Sequence, residues 1–178
     1  KDILLRCDDG SGGIATYLTL DGSAGFTTVQ KLMRFDDNVD ARFGSSSDLR
    51  IRHDGTDSKI DNYTGTLKIR NTLDGANITL ETDDGSGGVT TYLTLDGSAG
   101  YTVASKQIRS NDNVALTAGT DGDSNLVHDG TDSYVENWSG DLYIRNNNND
   151  KDVILQSDDG SGGVTPYITL DGSATSVN

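Results

Sequence analysis

The sequence predicts an all-β, repetitive fold, and three observations predict it. The chain repeats itself every 75 residues without a gap. Glycine-centred turn signals recur about every 10–12 residues inside each copy, at Gly44, Gly55, Gly65, Gly75, Gly85 and Gly97. Between them lie short runs in which apolar and polar side chains alternate, the period of a half-buried strand.

The elements follow in order. Asp8–Gly13 recurs as Asp83–Gly88 and Asp158–Gly163, and Tyr17–Ala24 recurs from Tyr92 and from Tyr167. His53–Ser58 recurs as His128–Ser133. Residues 1–75 and 76–150 match at 38 of 75 positions, and 151–178 begin a third copy. The domains are therefore read as β repeat 1 (1–75), β repeat 2 (76–150) and the start of repeat 3 (151–178), and the chain as a segment of a longer fibre. Fixed-period self-similarity marks stacked architectures in which each unit contacts mainly its neighbours.

Leu49-Arg50-Ile51-Arg52 puts two apolar side chains on one face and two arginines on the other. Leu67-Lys68-Ile69-Arg70, Leu142-Tyr143-Ile144-Arg145, Asn77-Ile78-Thr79-Leu80 and Thr16–Leu20 alternate in the same way. The linking Asp-Gly, Thr-Gly and Ser-Gly steps tolerate the positive φ of a tight hairpin. Residues 44–97 thus read as an antiparallel meander of about five strands, with 119–172 as its copy. Gln30–Phe35 fits a helical turn or a longer strand, and is read as strand because Asp36-Asp37-Asn38 closes it like a turn.

Composition narrows the function. The chain carries 28 acidic and 14 basic side chains, a net charge of −14, and only Glu81 and Glu136 among the acids are not aspartate. Such a chain repels phosphate backbones and anionic lipid heads, so no nucleic-acid partner is expected. No apolar run approaches the roughly 18 residues of a spanning helix, so no membrane insertion is expected. The single cysteine, Cys7, stands where the other copies have Thr82 and Ser157 and is read as a tolerated small residue.

Leu, Ile, Val and Phe total 39 of 178 residues, about 22%, just above the range of disordered chains. Burying a large apolar side chain contributes roughly 1.5–3 kcal/mol, whereas ordering a residue costs about 1.5 kcal/mol. One copy alone falls short. Copies can stack along the chain or chains can associate; the expectation, ahead of a monomeric solenoid or an immunoglobulin-like sandwich, is an elongated fibre, a homotrimer whose inward faces share a core that includes Leu18, Leu20, Ile51, Ile69, Leu80, Leu93, Leu95, Ile144 and Leu170. Closure of that kind also protects strand edges.

Several motifs have a chemical reading beside a structural one. Asp-Asp-Gly-Ser-Gly-Gly offers carboxylates and carbonyls suited to Ca²⁺, which takes six to eight oxygens; its structural reading is a glycine-rich hairpin loop in which Asp bonds local N–H groups. Asp121, Asp123 and Asn125 have the 1-3-5 spacing of an EF-hand start with Asp132 at position twelve, yet Leu126 replaces the glycine of position six. Beyond such calcium, no cofactor is expected. His53 and His128 precede Asp-Gly turns and lack any Gly-x-Ser-x-Gly partner; they are read as strand-end residues, and no enzymatic activity is expected. Tyr134, Glu136 and Trp138 share one face by alternation, which makes Tyr134 and Trp138 the candidate glycan-contact residues; the alternative is packing against a neighbouring strand or chain. Asn62-Tyr63-Thr64, Asn77-Ile78-Thr79 and Asn137-Trp138-Ser139 are sequons that matter only in a eukaryotic secretory host.

The string from His128 to Asn146, followed by Lys151–Val164, resembles the repeats of virion structural and tail-fibre proteins of marine tailed bacteriophages, cyanophages in particular. Phe35–Val39 and Asp48–Ile51 follow the same pattern. The resemblance covers essentially the whole chain and implies a virion appendage, a structural component of a tail fibre that supports host adsorption. It implies self-association and contact with other virion proteins, and no catalytic residues. The alternative is a repeated carbohydrate-binding adhesin module that engages host surface glycans through several equal weak sites.

Overall fold

A computed structural model describes residues 1–174, 176 and 177. The last copy expected from the sequence, 151–178, therefore has residues 175 and 178 outside the described set. Every element is a β-strand, and the strands pair only antiparallel, in sheets of three. The chain divides into two units, Lys1–Ala76 and Asn77–Asn178.

In the first unit, β1 (Ile3–Asp8), β2 (Ile14–Asp21) and β3 (Phe26–Val29) form one sheet, and β4 (Ala41–Phe43), β5 (Leu49–His53) and β6 (Ser58–Asn62) another. In the second, β7 (Ile78–Asp83), β8 (Val89–Asp96) and β9 (Tyr101–Ala104) form a sheet of the first kind, and β10 (Leu116–Ala118), β11 (Ser124–His128) and β12 (Ser133–Asn137) one of the second kind. A further sheet of the first kind follows, from β13 (Val153–Asp158), β14 (Val164–Asp171) and β15 (Ser176–Val177).

Register decides what each face presents. In β1–β3, Ile3 faces Leu20, Leu5 faces Leu18, and Leu18 and Leu20 face Val29 and Thr27 across the next ladder. These side chains lie on one face, while Leu4, Thr19 and Thr28 lie on the other. A bulge follows Leu5, where Arg6 pairs with Thr16 and Tyr17 is left over. The same bulge follows Leu80 and Leu155. A bulge bends its strand and interrupts the ladder. That explains why β3 stops at Val29: its last contact is Gln30 N–H donating to Tyr17 O at 3.0 Å, at the bulged residue itself. Gln30–Phe35 is consequently not a strand, contrary to the sequence reading, although the Asp36–Asn38 turn does form. There Val39 N–H donates to Asp36 O at 3.0 Å and Asn38 takes φ 64°.

The five-stranded meanders expected over 44–97 and 119–172 are also corrected. Leu67–Arg70 and Leu142–Arg145 pair with no strand. Alternation supplies a face but not a partner, and a strand needs a partner for its N–H and C=O groups. The chain leaves β6 through a clasp in which Asn62 Nδ2 donates to Thr64 O and Gly65 O at 2.9 and 3.0 Å. Asn137 does the same after β12, to Ser139 O and Gly140 O.

Among the described residues no apolar side chain is buried, and the most enclosed residue is Thr19, 9% exposed. Gln30 Nε2 reaches over it to donate to Thr19 Oγ1 at 2.8 Å. Of the nine residues expected in a core, Leu18 and Leu93 are half-buried, and Leu20, Ile51, Ile69, Leu80, Leu95, Ile144 and Leu170 are exposed in the single chain. A three-stranded sheet has two faces, and within its own unit nothing covers the apolar one closely enough to bury it.

Candidate functional site

The turns put a large set of the aspartates to use. In the first loop Asp9 Oδ1 accepts from Ser11 N–H at 2.8 Å, Ser11 Oγ at 2.7 Å and Gly13 N–H at 3.0 Å, while Asp8 Oδ1 accepts from Gly10 N–H. Asp84 and Asp159 hold the same donors in their loops. Gly10 and Gly12 stand at φ 84° and 88°, which L side chains rarely adopt. The Ser hydroxyl, then the loop amides, stabilise the ionised form and hold the carboxyls of Asp9, Asp84 and Asp159 below the usual 3.8. Asp21, Asp96 and Asp171 cap the next turn and are lowered too, Asp21 and Asp96 chiefly by the amides of Ala24 and Ala99 and then by Ser23 and Ser98, Asp171 chiefly by the Ser173 hydroxyl. The Oδ1 atoms of these loops thus accept from local N–H and O–H groups, the hairpin-loop bonding that the structural reading expects.

Among the described residues no three His, Cys, Asp or Glu side chains gather in a way that holds a metal. The EF-hand-like spacing does not become a loop, because Asp121 and Asp123 precede β11 whereas Asp132 lies beyond its far end. Cys7 is a free, exposed thiol in β1.

His53 and His128 end β5 and β11, and each ring Nδ1 lies against a serine hydroxyl across the hairpin, Ser58 at 3.2 Å and Ser133 at 3.1 Å. The turn between them is closed by Asp54 and Asp129, whose Oδ1 atoms accept two amides each. The second oxygen of each carboxylate takes a different donor. Lys59 Nζ binds Asp54 Oδ2 in the first copy, and Tyr134 Oη donates to Asp129 Oδ2 at 3.0 Å in the second. Lys59 and Tyr134 occupy equivalent positions, so the same hairpin brace is built once from an ion pair and once from a phenol. The backbone amide of Asp57 (with Lys59 adding to it) drives the Asp54 carboxyl far down; for Asp129 the amide of Asp132 leads, and the shift is downward too. An open groove beside this hairpin is lined by Asn111, Val114, Leu116, Leu126, His128 and Ser133.

The candidate glycan platform is on β12. Tyr134 pairs with Val127 and Glu136 with Asn125, so Tyr134 and Glu136 share a face opposite Val135. Trp138 follows the strand, its backbone N–H donating to Asp123 O at 2.8 Å and the residue 71% exposed. The structure thus brings Tyr134 and Glu136 onto one sheet face and leaves the indole of Trp138 open beside its end.

The corresponding face of β4–β6 carries a charge ladder that the sequence reading did not single out. Asp40 Oδ2 is 3.1 Å from Arg42 Nε and 3.9 Å from Arg50, Asp61 pairs with Arg52 at 3.9 Å, and the Arg50 guanidinium lies 4.6 Å over the Tyr63 ring. The Arg50–Arg52 alternation was the available signal. The sequon residues Asn62 and Asn137 spend their amides on the clasps, and Asn77 Oδ1 accepts from Gly97 N–H at 3.0 Å. No protein-family model matches the chain, and the curated proteins and the solved structures likewise yield no match.

Proposed function

We propose that this chain is a segment of a structural rod: a homotrimeric, elongated tail-fibre or virion-appendage component of a bacteriophage, built of 75-residue β repeats and supporting host adsorption. The observation that carries the reading is the lack of any buried apolar side chain among the described residues, although the three sheets of the first kind each offer an aliphatic face. Such a chain gains its core by association. Its placement is extracellular, on the virion, and its partners are sister chains and other virion proteins. The reading assigns it no catalysis, no nucleic-acid partner and no cofactor, and leaves calcium at the Asp-rich loops to a titration. Sedimentation equilibrium with electron microscopy tests it: three chains in a rod are expected, and a lone folded globule overturns it.

A second reading, a repeated carbohydrate-binding adhesin, is favoured by the open indole of Trp138 beside Tyr134 and Glu136. A ring of this kind suits stacking on a sugar, with the carboxylate accepting from hydroxyls. A glycan array with the Trp138→Ala variant separates the two. Binding lost in the variant supports the adhesin, and no binding at millimolar sugar leaves the rod alone.

A further inference from the structure

We infer that copies of this chain associate through one kind of surface, the aliphatic face that each of the sheets β1–β3, β7–β9 and β13–β15 presents, and not through the opposite faces or the second kind of sheet. The inference rests on the rod reading and deepens it by naming the contact. Three observations converge on it.

The first is surface area. The chain exposes 14444 Å². Two separate compact units sharing its 18.9 kDa would together expose about 10,000 Å². The excess, about 4,000 Å² per chain, is more than the roughly 1,000–2,500 Å² that each partner gives to a large obligate interface.

The second is chemistry. Ile3, Leu5, Leu18, Leu20 and Val29 share one face of the first sheet. Ile78, Leu80, Leu93, Leu95 and Ala104 do so in the second, and Val153, Leu155, Ile168, Leu170 and Val177 in the third. Within the paired registers of the described residues no ionisable residue other than Cys7 falls on these faces, Lys1 and Lys151 standing only at their ends beside Ile3 and Val153, whereas the reverse faces carry Arg6 and Glu81. Chains of net charge −14 repel one another, so close approach is least costly where no charge is desolvated.

The third is the occupant. The three faces are nearly the same surface, and a copy of the chain offers the same series of patches. Obligate contacts between identical chains are the more apolar kind. The reverse face of the first sheet is already served by its own chain, since Gln30 bonds Thr19 there. The sheets of the second kind instead set His53 or His128 and their serine partners on the apolar side and offer a mixed face.

Adjacent residues of β7 separate the alternatives. Leu80 points to the aliphatic face and Thr79 to the reverse, and both are exposed. In the 178-residue chain carrying Cys7→Ser, the substitutions Leu80→Cys and Thr79→Cys are oxidised and read on a denaturing gel beside sedimentation of the same samples. Several-fold more covalent dimer from Leu80→Cys is expected, with Leu155→Cys behaving as Leu80→Cys. Equal cross-linking, or cross-linking from Thr79→Cys alone, in a chain that still sediments as an oligomer overturns this inference and leaves the rod reading intact. A monomer in the unsubstituted chain overturns both.

Discussion

Ser47 and Gly122 occupy the same place in successive copies, and both have positive φ, 59° and 75°. Left-handed backbone costs a non-glycine residue roughly 1–2 kcal/mol. Ser47→Gly is therefore expected to raise the stability of its hairpin, with the gain held to about 1 kcal/mol by the added freedom of the unfolded chain. Gly122→Ala is expected to lower it by about 1 kcal/mol or more, because a Cβ there would also stand 3.2 Å from Thr117 Cγ2. Paired chemical denaturation curves check both signs. The turn aspartates make a second expectation. Asp9, Asp21, Asp84, Asp96, Asp129, Asp159 and Asp171 all have carboxyls lowered in the folded chain, chiefly by serine hydroxyls and turn amides. A lowered folded value means stability that is fully present above 3.8 and is lost as the pH falls through the folded values. Thermal melts followed by circular dichroism are expected to hold level from pH 7 to about 5 and to fall steeply below 3.8; a melting temperature unchanged down to pH 2 would refute the turn bonds as a stabilising set.

At the scale of elements, each three-stranded sheet is thin. The isolated stretch 76–150, which holds one sheet of each kind, is expected to remain unfolded as a monomer, since neither sheet has a second layer. Sedimentation with circular dichroism on that peptide checks it, and a cooperative monomer is the contrary outcome. Strands at 49–53, 78–83 and 14–21 were legible because alternation there coincides with turn residues on both sides. Leu67–Arg70 alternates as well and misled, because pairing depends on a neighbour that local sequence does not reveal. The bulge at Leu5/Arg6 was hidden for the same reason, and with it the early end of β3. At the candidate site, the shared face of Tyr134 and Glu136 followed from period two alone. The equivalence of Lys59 and Tyr134 as braces for Asp54 and Asp129 did not, because a lysine and a tyrosine at one position look like drift until both are seen on the same carboxylate oxygen.

Over the whole molecule the balance shifts from contacts within the chain to surface left for others. The loops are satisfied locally, the polar faces carry their own ion pairs or aromatic groups, and the aliphatic faces remain open. The ladder of β1–β3 is complete between Ile3 and Val29, and that of β4–β6 between Ala41 and Asn62. Ladders that close over so short a stretch of chain have low contact order, and such structures form quickly. Under the proposed rod assembly the slow step is encounter between molecules. Refolding from denaturant should show a rapid gain of strand signal at a rate independent of dilution, then a slower phase that accelerates with protein concentration. The short reach of each ladder thus lets a long polymer be spun out link by link, without any distant part of it having to be found first.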